Sequence, residues 1–271
     1  MEAYSDFAYV YDTFMDETPY AQWCSFVEQI IAQYGISKPI AGKHSLQEDV
    51  LESERNLVVD LGCGTGTLTE MLSEAGYDMI GIDNSQDMLD IAMEKKLSSG
   101  QEILYLLQDM RSFELYSTVG TVLSVCDSLN YILSEEELLQ VFRLVSNYLF
   151  PGGIFIFDFN TVYKYAQVIG DTTIAENRDE CSFIWDNYYH EEEQINEYEV
   201  TVFVKKDEDE DCFRKFSETH YQKGYTVEQM KRLVEEAGLH AELILDADTH
   251  QEVSETSERV YVVAKSRKKM I

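Results

Sequence analysis

Between residues 56 and 159 one alternation recurs: a short, unbroken apolar run, then a stretch with helical spacing. The apolar runs are "NLVVD" (56–60), "DMIGID" (78–83), "ILYLL" (103–107), "TVLSV" (121–125) and "IFIFDF" (154–159). Between them lie "TLTEMLSEAG" (67–76), a segment capped by Ser85 that carries Met88, Leu89 and Ala92, and "SEEELLQVFRLVSNYL" (134–149). Ser134 and Glu137 have capping-box spacing, and "PGG" (151–153) stops that helix. Short strands that are apolar on both faces and alternate with helices imply a parallel sheet covered on both sides. The expected fold class is therefore α/β, a doubly wound sheet.

The flanks read differently. Residues 20–34 place Trp23, Val27, Ile30, Ile31 and Tyr34 on one helical face, and Gly35 ends the run. Residues 36–54 are polar and mixed and read as a linker. From 173 to 221 the period changes to two, in "TTIAEN", "CSFIWDNYY", "YEVTVFVK" and "CFRKFSETHYQ", with acidic turns at 190–196 and 207–211. That is an antiparallel meander set into an α/β domain. "TVEQMKRLVEEAG" (226–238) and "RVYVVA" (259–264) then return to helix and strand. The expected organisation is an N-terminal helical cap and linker over 1–54, a main domain from 55–165 and 222–271, and an inserted meander over 166–221 that serves as a substrate lid.

Composition narrows the function classes. The chain has 271 residues, 45% of them hydrophobic, with 51 acids against 21 bases and a formal charge of -30. A surface of that sign repels a phosphate backbone, so no nucleic-acid partner is expected. The basic tail Lys265, Arg267, Lys268 and Lys269 reads as a solvated end. No apolar run approaches the roughly 20 residues of a membrane span, and "MEAYSDFAYVYD" lacks the pattern of a secretory signal. The expected location is the cytoplasm. The five cysteines form no C-x-x-C pair and the five histidines no H-x-x-x-H pair, so no disulfide framework and no metal are expected.

The chemistry concentrates in "VVDLGCGTG" (58–66). A turn after the first strand of a doubly wound sheet stands where ligands bind. Gly62, Gly64 and Gly66 let the backbone turn tightly and let a ligand approach, and the next helix offers free N–H groups. The spacing is G-x-G-x-G, whereas a dinucleotide pyrophosphate calls for G-x-G-x-x-G. Asp60 would repel a pyrophosphate and suits a cation. The nucleotide-like ligand without phosphates and with a positive centre is S-adenosylmethionine. Asp83 ends the second strand, where a carboxylate accepts from ribose hydroxyls. Asp109 follows the third, where it can accept from the adenine amino group while the Met110 N–H donates to the ring. Met88 either packs on the adenine or belongs to the core.

These residues give the chain a resemblance to the class I S-adenosylmethionine-dependent methyltransferases. It is carried by "VVDLGCGTG" (58–66), "GIDNSQDML" (81–89), "LLQDM" (106–110) and "VCDSLNYI" (125–132). The resemblance implies a Rossmann-like sheet of seven strands with the last antiparallel. It assigns Asp60, Gly62, Cys63, Gly64 and Gly66 to the methionine moiety, Asp83 and Asn84 to the ribose side, and Asp109 and Met110 to adenine. It places Cys126 and Asp127 at the methionine end, with Asn130 and Tyr131 toward the substrate. The N-terminal "YSDFAYVYDTFMDETPYAQW" is similar to a subgroup of bacterial enzymes whose N-terminal aromatics close over the cofactor; here these are Tyr4, Phe7, Tyr11 and Trp23. The meander resembles that of small-molecule N-methyltransferases, where it shapes the acceptor pocket.

Two departures bear on the acceptor. After the fourth strand stands "CDSLNY" and not N-P-P-Y, and residues 1–35 hold no arginine to clamp the cofactor's carboxylate. An acceptor amine must lose a proton during attack, and His220, Tyr221 and Asp158 are the candidate catalytic groups. His220 reads equally as a structural histidine. Asn160 and Tyr188 are candidate substrate contacts. The expected reaction is methyl transfer to N or O of a small molecule. A macromolecular acceptor, a NAD-linked oxidoreductase and a cofactor-holding module without turnover are the competing readings, and a homodimer is left open.

Overall fold

A computed structural model describes residues 8–40, 50–206 and 212–268. Tyr4, Phe7 and the acidic turn at 207–211 lie outside the described residues. The chain opens with three helices, α1 (Ala8–Phe14), α2 (Tyr20–Tyr34) and α3 (Val50–Asn56). The alternating part follows as β1 (Leu57–Leu61), α4 (Thr67–Glu74), β2 (Asp78–Asp83), α5 (Gln86–Ser99), β3 (Leu104–Leu107), β4 (Val119–Ser124), α6 (Glu135–Tyr148) and β5 (Leu149–Asn160). The meander is β6 (Thr173–Asn177), β7 (Cys181–His190), β8 (Ile195–Lys205) and β9 (Phe213–Lys223). The last elements are α7 (Val227–Glu236), β10 (Leu239–Asp246) and β11 (Arg259–Ser266).

Seven strands form one sheet in the order β10-β11-β5-β4-β1-β2-β3. β11 runs antiparallel to both of its neighbours, and β1 to β5 are parallel to one another. The chain order reverses between β1 and β4, which sets the ligand crevice at their carboxyl ends. β6-β7-β8-β9 make a second, antiparallel sheet.

Strand parity divides the core. Val59, Phe155, Phe157 and Phe159 face α6 and α7, against Phe142, Val145 and Leu233. Val58, Ile154 and Ile156 face the other way, against Val27, Ile31 and Leu72 of α2 and α4. A third cluster lies under the meander, where Tyr198, Val200 and Val202 meet Val10 and Phe14 of α1. Ser85 and Ser134 accept from the N–H of Met88 and Glu137, and Thr226 with Gln229 completes a capping box, whereas the Glu137 carboxylate accepts from Arg111.

Three features correct the sequence reading. Residues 50–54 of the expected linker open α3, which runs on to Asn56, and its last turn rests so closely on β4 that a Cβ at Gly120 would clash with the Arg55 carbonyl. The sixth strand of the large sheet, β10, carries no clean alternation, because one face is half-covered and a bulge shifts the register between Ala241 and Leu243. α6 ends at Tyr148, before "PGG", and those three residues lie inside β5, which starts at Leu149.

Candidate active site

The glycine turn is fixed from both sides. Gly62 and Gly66 hold φ of +77° and +75°. A Cβ on Gly62 would sit 2.6 Å from the Ser128 hydroxyl, and one on Gly66 would strike the Tyr105 hydroxyl at 2.4 Å. Asp83 clamps the same turn: its carboxylate accepts from the Gly64 N–H at 2.9 Å and from the Ser85 N–H at 2.9 Å. One carboxylate thereby joins the glycine turn to the start of α5, with lone pairs remaining for further donors.

A cavity of about 210 Å³ opens at this end of the sheet. Of the expected cofactor residues, Tyr11, Trp23, Asp60, Gly62, Cys63, Gly64, Asp83, Asn84, Met88, Asp109, Met110 and Cys126 line it. Gly66 does not, since it faces Tyr105 and Ala92. Asp127 does not either; its carboxylate turns to Gln222 of β9, whose side-chain N–H donates to it at 2.6 Å. Tyr131 lines the cavity and shares a 2.5 Å hydrogen bond with Tyr198 of the meander.

Asp60 is 3% exposed, and Thr69 donates to it at 2.6 Å. Burial raises its carboxyl to about 7, and the nearby Asp83 adds to the rise. Burial also raises Asp83, opposed by the N–H groups it accepts. Asp109 goes the other way: Arg111 donates to both of its oxygens and holds it below the usual carboxylate range. Burial pushes the Cys126 thiol up to about 12, so it is an inert wall and not a nucleophile.

Sequence reasoning missed Arg111, Ser128, Tyr20, Thr65 and Thr67 in the lining. Arg111 was the most legible, one residue beyond the "DM" pair. Arg259 stacks over Trp23 at 4.4 Å and pairs with the fully buried Asp158. α1 is fastened over the cavity rim by Asp12, which accepts from Thr65 at 2.7 Å and pairs with Lys95 at 2.6 Å.

The expected catalytic and substrate residues fare less evenly. Asp158 is spent: it accepts the N–H groups of Cys126 and Asp127 at 3.1 and 2.8 Å and pairs with Arg259. Tyr221 is 44% exposed on the outer face of β9 and bonds to Glu197, because alternation sends it opposite to His220 and Gln222. Tyr188 is exposed on the outer face of β7 for the same reason. Asn130 and Asn160 brace each other and the end of the meander: Asn130 donates to the carbonyls of Asn160 and Lys223. His220 is buried behind the cavity wall, stacked on Tyr198 at 4.9 Å and edge-on to Tyr131 at 6.0 Å, with Glu218 at 3.4 Å.

The donor set fits S-adenosylmethionine. A buried carboxylate at the glycine turn favours a cation, a second ends β2 with spare lone pairs, and a Cβ at Gly64 would meet nothing within 4 Å, so the turn offers an open cradle.

Comparison with known proteins agrees. Residues 58–153 match the family model described as a methyltransferase domain. A methyltransferase-family protein of Geobacillus sp. (strain WCH70) is 35% identical over 97% of this chain and 99% of its own length. A dTDP-3-amino-3,4,6-trideoxy-alpha-D-glucopyranose N,N-dimethyltransferase of Streptomyces venezuelae is 30% identical over 45% of this chain and 51% of its own. The crystal structure of an S-adenosylmethionine-dependent methyltransferase from Clostridium acetobutylicum superposes with a TM-score of 0.81 at 26% identity, over 98% of this chain and 99% of that one. With its glycine turn, acid set and sheet order, the chain belongs to the class I S-adenosylmethionine-dependent methyltransferases, and S-adenosylmethionine is its cofactor.

Proposed function

We propose that this enzyme methylates a nitrogen or oxygen of a small molecule, with the meander as the lid over the acceptor. The observation that carries the reading is the contact between Tyr131, in the cofactor cavity, and Tyr198 on the inner face of the meander. It sets the meander against the cavity wall, which supports a small acceptor over a polymer. The charge of -30 supports this by disfavouring nucleic acid. The amino-sugar enzyme of Streptomyces venezuelae, similar over less than half of this chain, supports a small acceptor bearing an amine.

In this reading Asp60 and the glycine turn would hold the methionine end, Asp83 the ribose hydroxyls, and Asp109 with the Met110 N–H the adenine. S-adenosylmethionine supplies a methyl group already activated on a sulfonium. The chain's own work is then alignment and exclusion of water, and alignment alone is worth about 7–11 kcal/mol. Tyr11, Trp23 and Tyr131 line the acceptor end and keep it dry. Our candidate to take the acceptor proton is Tyr131, which lines the cavity and whose hydroxyl bonds to Tyr198, the ring on which His220 stacks.

The test is transfer of label from S-adenosylmethionine into a cell extract that is afterwards separated by size. Label in the small-metabolite fraction is the expected result. Label in RNA or protein would overturn the small-molecule assignment.

A further inference from the structure

The peptide that carries Cys126 into the cavity is strained. Cys126 and Asp127 hold φ of 71° and 53°, in a region that residues with a side chain avoid. Something must hold it there. From below, Asp158 accepts both N–H groups, and Arg259 pairs with Asp158. From the side of the lid, the Gln222 amide N–H donates to Asp127 at 2.6 Å. Gln222 is 4% exposed, and its amide oxygen accepts from the Tyr165 hydroxyl at 2.9 Å. An ionised carboxylate only accepts, and this phenol donates. An amide is the neutral group that can serve both at once.

We infer that Gln222 is a positioning residue: its bond to Asp127 ties the seating of the meander to the left-handed peptide at the mouth of the cavity. This rests on the reading of the meander as the lid. The meander and the strand-four loop belong to different sheets, and among the described residues side-chain bonds join them from Gln222 to Asp127, from Tyr198 to Tyr131 and from Asn130 to the Lys223 carbonyl. Only the first acts on the strained residues. When the meander lifts, Asp127 loses its donor and the mouth loses its set geometry. When it seats, the mouth is restored.

The decisive variant is Gln222→Glu. A protonated glutamic acid reproduces the amide, since its O–H donates to Asp127 and its carbonyl accepts from Tyr165. Ionised, it faces Asp127 as a like charge and breaks the tie. The other groups that bear on Asp127 are Asp158, Arg259, Lys164, Cys126, Tyr11, Tyr165 and Tyr198; all are unchanged in the variant.

Two readouts apply to wild type, Gln222→Glu and a control, Thr201→Val, on the outer face of the same meander. One is transfer of label from S-adenosylmethionine into the small-metabolite fraction of a cell extract. The other is hydrogen exchange of the peptide containing Cys126 and Asp127, corrected for intrinsic rate. We expect Gln222→Glu to match wild type near about pH 6 and to fall at least about tenfold in transfer near about pH 8, with faster exchange of the loop. The control should follow wild type at both. Gln222→Glu that tracks wild type at both pH values, in transfer and in exchange, overturns the inference. If wild type puts no label into small metabolites, the substrate assignment fails by itself, and the exchange readout still decides this one. If Gln222→Glu does not fold, Gln222→Asn replaces it, one methylene short; unchanged loop exchange in that variant overturns the inference equally.

Discussion

Asp60 is an acid that burial has made reluctant to ionise. Its carboxyl titrates at about 7 against an ordinary 3.8. The unfolded chain therefore releases that proton first, and between about pH 4 and pH 7 the stability linked to Asp60 falls as pH rises. Cofactor binding runs the opposite way, because a cation needs the ionised form. Affinity for S-adenosylmethionine should climb by up to about tenfold per pH unit below about pH 7 and level off above it. Calorimetric titration from about pH 5.5 to 8 measures this, and Asp60→Asn should flatten the slope. An affinity in wild type that ignores pH would remove Asp60 from the contacts of the cation. Asp83→Asn keeps the size of the side chain but drops the charge that receives Gly64 and Ser85 and that we propose receives the ribose. It should weaken binding by about 1.5–3 kcal/mol, or roughly 10- to 150-fold, with a melting temperature close to wild type. Unchanged affinity would sink the ribose assignment.

These acids were legible because each stands at or near the carboxyl end of a strand, and the end of a strand is a position that sequence shows. A near partner could be read, as Arg111 lies two residues beyond Asp109, but a distant one could not: Asp158 is bound by Arg259, 101 residues on. Periodicity tells which face a side chain takes, but not which distant group meets it there. Even the face is lost to a miscount of one, and so Tyr221 was grouped with His220 although the two point to opposite sides of β9.

At the level of elements, α1 shows the same limit. Its aromatics drew notice, but not the acid that fastens it. Asp12 reaches Lys95 and Thr65 on one side, while Phe14 packs edge-on against Phe183 of the meander at 4.7 Å on the other. Arg178 adds an ion pair to Asp16 at 2.8 Å. One short helix thus touches both the cofactor turn and the lid. The Asp12–Lys95 pair is partly exposed, so its worth is about 0.2–1 kcal/mol. Lys95→Ala should speed cofactor dissociation by no more than about fivefold, and added salt should reproduce most of that effect in wild type. Stopped-flow release that is unmoved by both would mean that α1 does not gate the cavity. The meander, by contrast, was plain in the sequence: β8 and the second half of β9 alternate by two, and β-branched and aromatic residues fill its strands.

For the whole molecule, alternation between 56 and 159 was enough to name the class of fold, because unbroken apolar strands have few ways to be covered. β10 escaped notice since it lies near the sheet edge with one face half-covered, and α3 because seven residues make too short a window for helical periodicity. The charge of -30 was legible in sign, and it has a global consequence. Self-repulsion opposes the compact state, so the melting temperature should rise by a few degrees as salt increases from about 0.01 M to about 0.15 M, where the screening length shortens from about 30 to about 8 Å. A melting temperature that falls over that range would mean that the fastening ion pairs outweigh the repulsion.

Arg259 gives this architecture an order in time. It lies on the antiparallel strand, yet it secures an aspartate at the far end of β5 and, through it, the strained peptide beside the cavity. On a ribosome, the parallel strands and the meander all emerge before that arginine does. The cofactor pocket of a nascent chain therefore stays unfinished until the last strand slots into the sheet, and a half-made enzyme has no settled mouth through which to spend a methyl group.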